Sequence, residues 1–228
     1  MKTKQAGFTL VEIAIVLVII GLLLGGILKG QEMITQAKIK NVMADFSGIS
    51  AAYHGYQDRY RAIPGDDPNA AGRWTTAPAA ISGGGNGVVG GTYNNACPAV
   101  SVAGTPESCM FWDHLRRAGF VAGNGAQQPF NALTGMLGVQ TGDGAVAPAP
   151  ALLDGAGGPG FVGLVMCSAN LPDKIASAVD TQMDDGIAGK GTVRALLQAA
   201  PNPAVGNVAA TAAYVETGSN IYTICRAL

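Results

Sequence analysis

At 228 residues with a formal net charge of −1, the chain has neither the basic excess of a nucleic-acid binder nor a long acidic tail. Only 13% of its residues are charged and 48% are apolar, which excludes a disordered chain and supplies enough apolar material for one buried core. Its two histidines, His54 and His114, lie far apart and no Cys-x-x-Cys occurs, so a zinc centre lacks ligands at the usual spacing.

The first element is a membrane-length apolar helix. Gly7-Phe8-Thr9-Leu10-Val11-Glu12 precedes 16 uninterrupted apolar or Gly residues, 13–28. Residues 8–28 rising as a helix extend about 30 Å, the thickness of a hydrocarbon core. Lys2 and Lys4 precede the run and no Asp or Glu occurs before Glu12, which predicts a cytoplasmic N-terminus and export of everything after Lys29. A removable secretory signal would carry its small-residue cleavage site after the apolar core. Here Lys29-Gly30-Gln31-Glu32-Met33 follows the core, and the small residue lies before it, at Gly7. An ionised carboxylate at bilayer depth costs about 2.5 to 3.5 kcal/mol, so Glu12 requires a compensating role.

Gly7-Phe8-Thr9-Leu10-Val11-Glu12 followed by an apolar helix resembles the leader of type IV pilins and type II secretion pseudopilins. The resemblance implies that a prepilin peptidase cuts between Gly7 and Phe8 and methylates the new amino group of Phe8. It also implies that Glu12 becomes a contact between subunits, paired with the Phe8 amino group of a neighbour. The implied fold is α+β: a long N-terminal helix, half membrane and half amphipathic, packed on a small antiparallel sheet in a pilin-like lollipop. One departure is that many members carry a proline near the end of the apolar segment, where this chain has Lys29 and no proline before Pro64. Gly21, Gly25, Gly26 and Gly30 lower helix propensity instead, or allow close helix packing.

Beyond the span, Ile39, Val42, Phe46, Ile49, Tyr53, Tyr56 and Tyr60 recur at alternating spacings of three and four, drawing one apolar stripe for a sheet to cover. The helix should stop before Pro64, at the turn Gly65-Asp66-Asp67-Pro68. Three segments result: a leader over 1–7, a helix over 8–61, and an exported head over 62–228 opening on a Gly/Pro-rich loop, 62–106. Gly83-Gly84-Gly85-Asn86-Gly87 in that loop lacks the Lys-Ser/Thr of a phosphate loop.

A short helix is predicted over 108–118, closed by Gly119, with Arg116 and Arg117 at its negative end and Phe111, Leu115 and Ala118 facing the core. Trp112 and His114 on it read as structural. Residues 160–167, 191–197, 214–215 and 221–225 read as strands, and 135–139 as an added edge. The connection 180–186 carries Asp180, Asp184 and Asp185. It reads as a solvated acidic turn, with Asp184 and Asp185 a weak Ca²⁺ candidate that lacks EF-hand spacing.

Four cysteines in an exported head predict disulfides. Of three connectivities, Cys97–Cys109 with Cys167–Cys225 is favoured: the first pair closes a short loop in the irregular region, and the second ends two strand runs that could be neighbours.

The combined reading is a non-enzymatic filament subunit with no cofactor and no nucleic-acid partner. Its expected partners are prepilin peptidase, other pilin or pseudopilin subunits, the inner membrane and an assembly platform. It would be a single-pass inner-membrane protein with a periplasmic head before assembly, and part of a periplasmic or surface filament after it. A type IV pilus is favoured, in a minor or specialised place. The alternatives are a pseudopilin of a type II secretion system and a single-span membrane-anchored periplasmic protein or enzyme, for which no catalytic constellation is visible.

Overall fold

The computed structural model describes residue 7, residues 9–155 and residues 157–228. The chain divides into two compact units, the first ending at Lys38 and the second running from Ile39 to Leu228. Helix α1, Leu10–Tyr60, contributes to both.

In the first unit, every large apolar side chain of α1 from Leu10 to Ile34 is exposed. An apolar surface of that length is stable only when lipid or another protein covers it. Among the described residues, α1 is the one helix long and apolar enough to cross a membrane.

The second unit is built on a four-stranded antiparallel sheet. Its strands are β1 (Leu137–Thr141), β2 (Leu164–Pro172), β3 (Val193–Leu197) and β4 (Ile221–Ala227), in the order β1-β2-β4-β3. Ile39, Val42, Phe46, Ile49, Ala52, Tyr53 and Tyr56 of α1 are buried against one face, with Leu137, Val139, Met166, Val193, Tyr222 and Ile224. The stripe therefore does what its spacing predicts, and α1 packs on the sheet. Tyr60, its last member, is only partly buried. Replacing a fully buried Phe46 by Ala would cost about 3 to 5 kcal/mol.

The opposite face is covered as well, by irregular chain. Val165, Cys167, Ala169 and Cys225 pack there against Tyr93, Ala151, Leu152, Val205 and Ala210. Because both faces are covered, β2 is buried almost continuously instead of alternating. A bulge between Ser168 and Leu171 shifts the parity of β2, and Leu171 thereby returns to the helical face.

Helix α2, Ala70–Arg73, is one turn inside the loop where regular helix was not expected. Helix α3, Glu107–Arg117, ends with Gly119 at φ +82°, as a C-terminal glycine should. Phe111, Leu115 and Ala118 on or beside it are buried.

Three strand expectations shift. Residues 160–163 precede β2, which instead runs on to Pro172; Tyr214 and Val215 lie outside any strand; and the added edge is β1, two residues later than read. A larger correction is α4, Asp173–Met183, which places Asp180 on a helix and not in a turn. Ile175, Ala176 and Val179 form its buried side, and Pro172 stands at its N-cap.

Candidate functional site

At the N-terminus, Gly7 is exposed and non-helical, whereas Phe8 lies outside the described residues, so the expected cut and methylation site is described only on its Gly7 side. Thr9 and Glu12 form a capping box. The Thr9 backbone N–H and hydroxyl donate to Glu12 Oε2 at 2.8 and 2.7 Å, and Glu12 N–H donates back to Thr9 Oγ1 at 3.3 Å. The carboxylate also sits at the positive end of the helix. Among the described residues Glu12 Oε1 accepts no hydrogen bond, leaving one oxygen for a cation. The signal for this box, Thr-x-x-Glu before an apolar run, is legible in the sequence but was not used in reading it.

The head holds a polar core where the glycine-rich loop meets α3. Asp66 accepts from Asn86 N–H at 3.1 Å and Gly87 N–H at 2.7 Å. Glu107 accepts from Gly84 N–H and Gly90 N–H, both at 2.8 Å. Two carboxylates of the chain thus occupy the backbone donors that a phosphate loop would offer a ligand. Asp67, fully buried, pairs with Arg73 and accepts from Tyr56 O–H at 2.6 Å. Arg73 also lies over the Tyr60 ring, 4.6 Å from its centroid.

His114 belongs to the same core. Its Nδ1 accepts from Gly65 N–H at 2.9 Å, which leaves the proton on Nε2, donated to Ile81 O at 2.8 Å. Burial pushes its pKa below the usual imidazole value. With both nitrogens engaged and no exposure, His114 is a structural residue. Gly65, at φ +89°, has no room for a Cβ beside the Glu107 carbonyl. Trp112 is fully buried, and His54 is an exposed residue of α1.

Asp180, Asp184 and Asp185 converge, with one oxygen of each within 4.8 Å of the others. Asp184 Oδ2 accepts from Thr192 N–H at 2.5 Å and Val193 N–H at 3.0 Å, and Asp185 Oδ1 from Ile187 N–H at 2.8 Å. Both carboxylates therefore close the turn that leads into β3. Asp180 is buried and accepts from Tyr214 O–H at 2.8 Å. Burial, helped by the neighbouring Asp185 and Asp184 charges, pushes its pKa up to about 6.

Cys97 is bonded to Cys109, and Cys167 to Cys225. The first bond ties the irregular segment to the first turns of α3. The second joins directly paired residues of β2 and β4 on the face covered by irregular chain.

An exposed membrane-length helix that begins in a carboxylate cap and continues into a disulfide-braced α+β head defines a class of subunit held in a membrane or in a polymer by its helix. The prokaryotic N-terminal methylation motif matches residues 2–28, and with this fold it places the chain in the type IV pilin/pseudopilin family. The chain is a pilin or pseudopilin subunit, of a family that is typically structural and non-enzymatic, and prepilin-motif proteins are processed by prepilin peptidase. No curated protein matches the chain.

Proposed function

We propose that the chain is a minor or specialised subunit of a type IV pilus. It is made as an inner-membrane precursor with a cytoplasmic leader over 1–7, a helix over 8–61 and a periplasmic head over 62–228. Prepilin peptidase cuts between Gly7 and Phe8 and methylates Phe8, and an assembly platform draws the helix from the bilayer into a filament. The observation that carries this reading is Gly7-Phe8-Thr9-Leu10-Val11-Glu12 set directly against a helix whose apolar side chains are all exposed.

In the filament, neighbouring helices replace lipid around that surface. The amino group freed at Phe8 is a cation in a low-dielectric setting, and Glu12 Oε1 on an adjacent subunit is its natural partner. Removing either member of such a pair costs about 3 to 5 kcal/mol, because the other charge is left uncompensated. Loss of seven residues from 228 leaves a mature chain of 221, long for a major pilin, and takes the net charge from −1 to −3 by removing Lys2 and Lys4.

Mass spectrometry of the N-terminus in cells with and without prepilin peptidase tests the reading. Methylated Phe8 only where the peptidase is present supports it; intact Met1 in both would make the chain an anchored protein. Loss of surface filaments on deletion supports a pilus, whereas periplasmic accumulation of secreted enzymes with filaments intact would assign it to a secretion pseudopilus.

A further inference from the structure

Between the turn after Asn131, the end of β3 and the start of β4 lies a cavity of about 480 Å³. Leu133, Leu197, Pro201 and Ile221 supply aliphatic wall. Its polar groups are the hydroxyls of Thr134 and Ser219 and the carboxamides of Asn170, Gln198 and Asn220. Among the described residues no charged side chain lines it.

Two lining residues hold backbone conformations that L residues avoid. Thr134 has φ 62° and Asn170 φ 57°. A β-branched residue in that region is rare, and each such residue costs on the order of 1–3 kcal/mol. Asn170 is displaced there by the β2 bulge, and its amide is pinned. Its Oδ1 accepts from Asn202 N–H at 3.2 Å, and Asn202 Oδ1 in turn accepts from Met136 N–H at 2.9 Å. Gln198 Nε2 donates to Thr223 Oγ1 at 2.8 Å, while its Oε1 is buried without a partner. Strain and an unmet acceptor converge on one cavity, the combination expected where a ligand completes the hydrogen bonding.

We propose that this cavity binds a neutral saccharide. Sugar hydroxyls donate and accept at once, and a carboxamide presents a donor and an acceptor in one plane to meet them. The C–H faces of a sugar ring suit the aliphatic walls. The volume falls in the range of roughly 300–1,000 Å³ typical of small-ligand sites. A carboxylate or phosphate ligand finds no cation there and an amine finds no anion, so charged ligands are rejected by desolvation without pairing. The cavity uses no residue of the N-terminal assembly site, so the inference stands or falls separately from filament formation.

The test is saturation-transfer NMR on the full chain in a detergent without a sugar headgroup. The probes are glucose, galactose, N-acetylglucosamine and lactose, with glucuronate and a blocked alanine dipeptide as comparisons. The expected result is saturation transfer to at least one neutral saccharide, with weaker transfer to glucuronate. Ala200→Trp, which fills the cavity from an exposed wall position, should weaken binding about tenfold or more. Ala199→Trp gives the same reading should Ala200→Trp fail to melt cooperatively. Absence of transfer to every saccharide, binding unchanged in both filled variants, or preference for the dipeptide over all the sugars would each overturn the proposal.

Discussion

Glu12 spends its charge twice. Within one chain it caps the first turn of α1 through Thr9, and on the proposed reading its second oxygen serves the next subunit. Glu12→Ala removes both roles, yet the buried core begins at Ile39. Filaments should therefore be lost while the head melts within about 1 kcal/mol of the native protein, the scale of a lost cap. Sheared-filament yield and thermal melting on the same preparation check this, and abundant filaments of the variant would remove Glu12 from assembly. Asp180 behaves differently because its partners are internal. Its pKa is raised from 3.8 to about 6, so the folded chain keeps this proton where the unfolded chain has lost it. That contribution to stability is complete below about pH 4 and disappears as pH rises through 6. Asp180→Asn keeps an acceptor for Tyr214 O–H and cannot ionise. It should be more stable than the native protein above pH 6, by on the order of 1–2 kcal/mol, and no more stable at pH 4. Urea midpoints across that window decide it; parallel pH curves for the two proteins would rule out Asp180 as the source.

The elements differ in how plainly the sequence announces them, and the difference follows from what covers each one. Helix α1 is covered on a single stripe, so its burial repeats with the helical period and its end before Pro64 can be read directly. Strand β2 is covered on both faces, which erases the alternation that marks a half-buried strand, and its extension to Pro172 was missed. Helix α4 is short and hides behind Pro172, while its acidic end, Asp180 with Asp184 and Asp185, reads as a turn because three carboxylates dominate a local view. The cysteines can be assigned from position alone because the β2 and β4 runs each hold one. Cys167–Cys225 spans 58 residues and Cys97–Cys109 spans 12. In the chain-entropy account these are worth about 4 and 3 kcal/mol respectively. Replacing Cys167 and Cys225 together by Ser should thus lower the urea midpoint more than replacing Cys97 and Cys109. The reverse order would mean that the shorter bridge holds the loop against α3 by more than entropy.

At the scale of the molecule, the sheet of the head is a partition between an ordered layer and an irregular one. The first face is met by helices whose periodicity identified them. The second is met by stretches rich in Ala, Gly and Pro that have no period to read, and polar residues at fixed points hold them down. Gln140 of β1 is the clearest such point. Fully buried, it accepts from Tyr93 N–H at 3.0 Å and donates to Gly142 O at 2.6 Å and Val205 O at 2.8 Å, joining three separate loop segments. A single Gln in an apolar strand gives no hint of this in one sequence, because its partners lie up to 65 residues away. Gln140→Leu keeps most of the volume but strands a buried donor and two buried acceptors, each worth about 1–3 kcal/mol when unmet. The variant should lose at least about 2 kcal/mol to urea, and Tyr93 N–H should exchange with deuterium far faster than in the native protein. The α1 face, which Gln140 does not touch, should keep its protection. Uniform loss of protection across both faces would mean that the two layers fold as one unit; loss confined to the second layer makes the irregular chain a separately anchored shell, held by a few polar contacts over a sheet that stands without it.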